Sequence, residues 1–255
     1  MHPTATCGAA GRVNRLASRG VNARLRLAGV VALALLAAAC ARLPEYAQPR
    51  MNPGDPQQAA YKGFAYRELT PADFRAPAPP DHLGGHAARI NAHSTIQIRP
   101  VPAAKFGVTQ GELFGQPYFF GRIEHLAFEA VMIPERSWWN PAMPPAATAY
   151  VLQHEQIHFA LSELAARRLT RESTAWAAAQ LVIRPSPQEV QAEMARLVRE
   201  RVNTAMEEGL KRHAEFDEDT SLFYNPRRQR WWAWTVEDEL KATEAAALQN
   251  APAAP

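Results

Sequence analysis

The chain has 255 residues, 28 Lys and Arg against 25 Asp and Glu, a formal net charge of +3, and 2 cysteines. That length suits one domain with a substantial core. The cysteines give no disulfide framework and exclude a thiolate-ligated zinc site from the folded part, because Cys7 lies in a leader-like segment and leaves only Cys40.

Residues 1–39 read as a signal peptide. Arg12, Arg15, Arg19, Arg24 and Arg26 stand there without an acidic residue, and an apolar run from Leu27 to Ala39 ends in small residues. The run is short for a permanent membrane span. The segment Leu35-Leu36-Ala37-Ala38-Ala39-Cys40 resembles a bacterial lipobox, with Ala37 where leucine is usual and Leu36 one place further back. By that resemblance Cys40 is the lipidation site. Ala41 after it favours the outer membrane, with the domain facing the periplasm and the lipid anchor as its membrane contact. Ordinary cleavage after Ala37-x-Ala39 is the competing reading and gives a soluble periplasmic or secreted protein. Without the five leader arginines, 23 basic residues face 25 acidic ones, about −2, so net charge offers no support for nucleic-acid binding.

Residues 40–60, with Pro44, Pro49, Pro53, Gly54 and Pro56, read as the lipidated cysteine and a flexible tether. A single domain is expected over 61–248, and a disordered tail over 249–255. Its first part, 61–140, leans to β-structure. Tyr61–Leu69 and Ala92–Arg99 alternate crudely, and Gln116–Ile133 is rich in aromatic and β-branched residues, with Gly121 as a bulge or turn. Residues 146–248 turn helical. One helix runs from Ala146 to about Arg171 or on to Ile183, stopped by Arg184-Pro185-Ser186-Pro187. A second spans about 188–216, and a third about 227–247. Sheet first and helices after make an α+β chain.

The first of these helices carries His154-Glu155-Gln156-Ile157-His158. Residues four apart share a helix face, so His154 and His158 aim two imidazoles at one ion while Glu155 stands beside them. This is the H-E-x-x-H pattern in which two histidines bind Zn²⁺ and the glutamate acts as general base on a metal-held water. A third protein ligand completes such a set and leaves one position open. The run from Ala146 to Thr170 has no Gly or Pro and is rich in good helix formers.

Further blocks extend the pattern. Leu69-Thr70-Pro71-Ala72-Asp73-Phe74, Ser137-Trp138, His154–Phe159 with Glu163 and Ala166-Arg167-Arg168-Leu169, Phe216-Asp217-Glu218-Asp219-Thr220, and Gln229 with Trp232 stand in order along Glu68–Trp232. Together they resemble a bacterial family of predicted secreted Zn-dependent proteases, known mainly as a domain of unknown function. The resemblance implies a zincin-like fold, with a β-rich half followed by a helical half that carries the motif. The family usually continues with a histidine and a glycine where this chain has Leu222 and Phe223, so the third ligand must come from elsewhere. Asp217 matches the family and is a normal carboxylate partner for two histidines; His213, four residues upstream, is the alternative. Glu163 sits about 140° round the helix from His158, which excludes it as a ligand and leaves it to orient a histidine or pair with Arg167. His125 and Tyr224 are donors that nothing in the sequence selects. The tryptophans Trp138, Trp139, Trp231, Trp232 and Trp234 read mainly as core.

These features describe a zinc-dependent envelope hydrolase, a metallopeptidase with Glu155 as catalytic base, His154, His158 and Asp217 as Zn²⁺ ligands, and a protein or peptide of the envelope as substrate. Two other functions fit the same chain: a non-catalytic envelope lipoprotein that keeps the scaffold for binding, and a zinc peptidoglycan hydrolase.

Overall fold

The computed structural model describes residues 62–221 and 224–249. The leader, Cys40, the tether, Leu222, Phe223 and the tail from residue 250 lie outside these, so the expectations placed on them are not addressed by the fold. The β-rich part contains β1 (Phe64–Ala65), β2 (Ala92–His93), β3 (Ile96–Pro100), β4 (Lys105–Leu113), β5 (Gln116–His125), β6 (Phe128–Met132) and β7 (Trp138–Trp139). Helix α1 (Thr148–Ala179), a short β8 (Val182–Arg184), α2 (Pro187–Thr220) and α3 (Pro226–Gln249) follow. The chain is thus α+β, with strands before helices as its composition implies.

Among the described residues, all strand pairs are antiparallel, in three small sheets ordered β1-β6-β3, β2-β7 and β4-β5-β8. The β4–β5 hairpin turns through Phe114 and Gly115, both at positive φ (52° and 73°), the two-residue geometry that matches strand twist. Three details depart from the sequence reading. The β-leaning stretch Gln116–Ile133 divides into β5 and β6 at Leu126-Ala127, not at Gly121. Val182–Arg184, read as the possible end of the motif helix, pairs with Phe119–Gly121 as β8; its β-branched Val182 and Ile183 suit an edge strand better than a helix end. Gly121 sits in regular pairing with Val108 and Val182, while the register shift falls between Lys105 and Phe106. Glycine is needed there for space: a Cβ would lie 2.4 Å from Val190 Cγ1 of α2.

Helix α1 is the element against which the others pack. Val151 and Phe159 join Leu69, Ala130 and Met132 in one apolar cluster toward β6. On another side Ile157, Leu161 and Leu164 meet Phe216 of α2 with Trp232 and Val236 of α3. Near its C-terminal half, Ala166, Leu169 and Ala177 pack with Ile98, Ile123 and Val198. The later helices are capped by their sequence. Ser186 Oγ accepts the Glu189 amide with Pro187 at the first helical position of α2, and Asn225 Oδ1 accepts the Arg228 amide with Pro226 opening α3. Among the described residues, no helix is long and apolar enough to cross a membrane.

Several of the sequence blocks prove to be joints of this packing. Gln156, the middle of the motif, faces away from the histidines: its Oε1 accepts the Leu69 amide and its Nε2 donates to the Arg67 carbonyl. Asp73 is buried, accepts from the Thr70 amide and hydroxyl, and pairs with Arg67 at 2.5 and 3.1 Å. Ser137 is fully buried; its hydroxyl donates to the Ile133 carbonyl and accepts the Thr95 amide. Gln229 donates to the Tyr150 carbonyl and Gln153 Oε1, docking α3 on α1. Trp232 is buried, as the core reading of the tryptophans expects, and donates to Asp219 Oδ2, whereas Trp231 and Trp234 are exposed and depart from it.

Candidate metal centre

The spacing of α1 puts His154 and His158 one turn apart, with ring centroids 4.7 Å apart. The crossing of α2 over this turn brings Asp217 to them. His154 Nε2 lies 3.1 Å from His158 Nε2, and Asp217 Oδ1 lies 3.1 Å from each. Among the described residues these are the His, Cys, Asp or Glu side chains that bring three ligand atoms within 4.8 Å of one another. Donors at the usual zinc distance of about 2.0–2.1 Å from a tetrahedral centre are separated by about 3.3–3.4 Å, so the triangle has the size of one face of such a site. Two imidazole nitrogens and one carboxylate oxygen are a normal donor set for a divalent transition metal, and their side chains are 11–14% exposed. The group can therefore hold a metal ion.

Local electrostatics fit that use. Burial disfavours ionisation of Asp217, yet the neighbouring His158 and His154 outweigh it and hold the carboxyl well below the usual carboxylate range. Burial likewise opposes protonation of His158, but Asp217 and, more weakly, Glu155 raise its pKa. A metal cation would take the place of that proton between the same groups.

His213, the alternative third ligand, is not part of the triangle. Its Nδ1 meets Nδ1 of His158 at 2.8 Å, on the side of the ring away from Asp217. Burial and the adjacent His158 push its pKa down to about 3. Glu163 is no ligand either, as its helical phase requires. It pairs with Arg167 at 2.7 Å and accepts the Ala130 amide.

Glu155 is 5% exposed and points toward the strands. Its Oε2 accepts both the amide and the hydroxyl of Ser94, at 3.1 and 2.5 Å. Ser94 sits between β2 and β3, which pair in different sheets, and its amide bonds this carboxylate. Phe216 forms a wall of the site, stacked on His154 at 4.5 Å and edge-on to His158 at 5.0 Å. Thr220 Oγ1 donates to the Phe216 carbonyl and stands 3.4 Å from His154 Nδ1, while Ser221 donates to Asp217 Oδ1 at 3.2 Å. Tyr150, one turn before His154, donates to the Thr220 carbonyl and packs at a tilt against the exposed Tyr224, with ring centroids 4.5 Å apart. His125 is exposed at the end of β5 and lies outside the cluster.

Phe216 and Thr220 were visible as matched positions without a role. Ser94 carried no signal, because its contact with Glu155 spans 61 residues and belongs to no local pattern. No family model, curated protein or solved structure matches the chain.

Proposed function

We propose that the chain is a zinc-dependent hydrolase of zincin type, specifically a metallopeptidase acting on protein or peptide substrates in the cell envelope. The observation that carries this reading is the convergence of His154 Nε2, His158 Nε2 and Asp217 Oδ1 in a 3.1 Å triangle beside the buried Glu155. Zn²⁺ fits the donor set and, when bound, supplies a Lewis acid and a water acidified toward neutrality. Envelope location and anchoring through Cys40 rest on the leader sequence.

The remaining chemistry belongs to the chain's own groups. Ser94 holds Glu155 through Oε2, which leaves Oε1 to take a proton from the attacking water and return it to the leaving nitrogen. Asp217 brings one negative charge to the site, so the cation keeps more of its polarising power than beside two carboxylates. Phe216 packs on both imidazoles, covering one face of His154 and meeting His158 edge-on.

The test is metal analysis and hydrolysis together. Purified protein should hold one zinc per chain and cleave casein or a mixed peptide library. Glu155→Gln should keep the zinc and lose cleavage by about 10²–10⁴-fold. Absence of a bound divalent metal, or a Glu155→Gln variant that cleaves like wild type, overturns the proposal. Cleavage of purified cell wall in place of protein would move the substrate to peptidoglycan.

A further inference from the structure

We infer that His213 is a positioning residue that fixes the metal-binding tautomer of His158, an inference that rests on the zinc reading above. Two pairs of residues spaced four apart face each other where α2 crosses α1. His154 and His158 lie on one helix, His213 and Asp217 on the other. The pairs meet unequally. Asp217 reaches the Nε2 edge of both imidazoles, whereas His213 reaches only the opposite edge of His158, with Nδ1 to Nδ1 at 2.8 Å and the rings within 8° of parallel.

A neutral imidazole carries one proton, on one nitrogen or the other. Nε2 of His158 presents a lone pair to a cation only when the proton sits on Nδ1. That proton needs an acceptor, and His213 Nδ1 stands where one is required. The unprotonated Nδ1 of His213 then places that ring's own proton on Nε2. In the reverse arrangement His213 donates to His158 and leaves an N–H on Nε2, aimed at Asp217 and useless to a metal. Ligating histidines are commonly held by a carboxylate or a backbone carbonyl at this position. Here a second imidazole does it, so the orienting group adds no negative charge to a site that already contains Asp217. His154 has the weaker counterpart, Thr220 Oγ1 at 3.4 Å from its Nδ1. The two ligands are thus unequally supported, and His158 is the firmer one.

Zinc affinity measured by chelator competition tests this, using Zn²⁺ itself as probe on the full chain. Asn places Oδ1 near the position of a histidine Nδ1, so His213→Asn keeps the acceptor while His213→Leu removes it. His213→Leu should weaken zinc binding about 10–100-fold, with the metal-free variant melting as a folded helical protein. His213→Asn should recover most of the loss. In zinc-loaded wild type, ¹⁵N spectra should show His158 protonated at Nδ1, and His213→Leu should alter that resonance. Equal zinc affinity in His213→Leu and wild type overturns the inference while leaving the zinc reading intact. So does failure of a well-folded His213→Asn to recover affinity. Wild-type protein that takes up no zinc overturns both. If His213→Leu proves unfolded without metal, His213→Asn and the wild-type spectrum decide the matter alone.

Discussion

The side chain of Gln156 closes on the backbone of Leu69, accepting its amide at 2.7 Å across 87 residues of sequence. With the bond from Nε2 to the Arg67 carbonyl, it ties the segment before the 3-10 turn at Pro71–Asp73 to the face of α1 beside Glu155. The middle residue of the histidine motif is therefore a structural clamp. Replacing it strips the Leu69 amide of its partner at a residue whose own exposure is 2%. Gln156→Ala should lower unfolding free energy by about 1–3 kcal/mol, read from urea titration, with zinc stoichiometry unchanged. A loss of zinc without a loss of stability would refute the clamp.

Asp73 gives a stability that depends on acid. Burial opposes its ionisation, but Arg67 and the Thr70 amide and hydroxyl outweigh this and hold its pKa below the ordinary value. The unfolded chain then binds the proton more readily than the folded one. The contribution is fully present above the unfolded value of about 3.9 and disappears as pH falls through the lower, folded one. Asp73→Asn should be less stable than wild type at neutral pH, and the gap should narrow below about pH 4. Urea midpoints for both proteins from about pH 2.5 to about pH 7, on either side of the ordinary Asp value, provide the check. A gap that stays constant would rule out the ion pair as its source.

Local periodicity made the helices legible, because α1 to α3 each have a helix-forming composition and clear breaks at Pro144-Pro145, Pro185 and Pro226. That His154 and His158 share a helix face followed from spacing alone. Choosing between Asp217 and His213 did not. They lie one turn apart on the same face of α2, and which of them reaches the Nε2 edges depends on how far α2 slides along α1. That quantity is set by packing around Phe216, not by any short pattern. Strand β8 was illegible for a related reason. Three residues cannot display a period, and its identity comes from the neighbouring β5.

Gly121 tests that neighbourhood. An added Cβ would meet Val190 Cγ1 at 2.4 Å and Met194 Sδ at 2.9 Å, where α2 packs on the β4-β5-β8 sheet. The methionine can yield, whereas Val190 is branched and fully buried. Gly121→Ala should therefore cost about 1–3 kcal/mol by overpacking, and Gly121→Ala combined with Val190→Ala should regain part of it. Additive losses in the double variant would contradict close approach at this point.

Metal removal should unfold the domain more easily if the triangle holds zinc. Ligand present at 100 times its dissociation constant stabilises the folded state by about 2.7 kcal/mol. Wild-type protein should therefore melt at a higher temperature with zinc than with a chelator, and Asp217→Ala should abolish that difference. The two conditions melting alike in wild type would argue against a metal at His154, His158 and Asp217.

Ser94 offers a separate handle on Glu155, because its amide and hydroxyl both bond the carboxylate, apart from the three candidate ligands. Ser94→Ala deletes the hydroxyl bond at 2.5 Å and keeps the amide bond at 3.1 Å, so Glu155 stays buried but can rotate about a single contact. A general base works only within hydrogen-bond reach of its proton, and misplacement by about 1 Å can cost on the order of 100-fold. The variant should therefore show kcat lowered by about 10–100-fold, with KM and zinc content near wild type. Parallel loss of zinc would mean that Ser94 supports the metal ligands instead, and unchanged kcat would mean that the amide alone fixes the base.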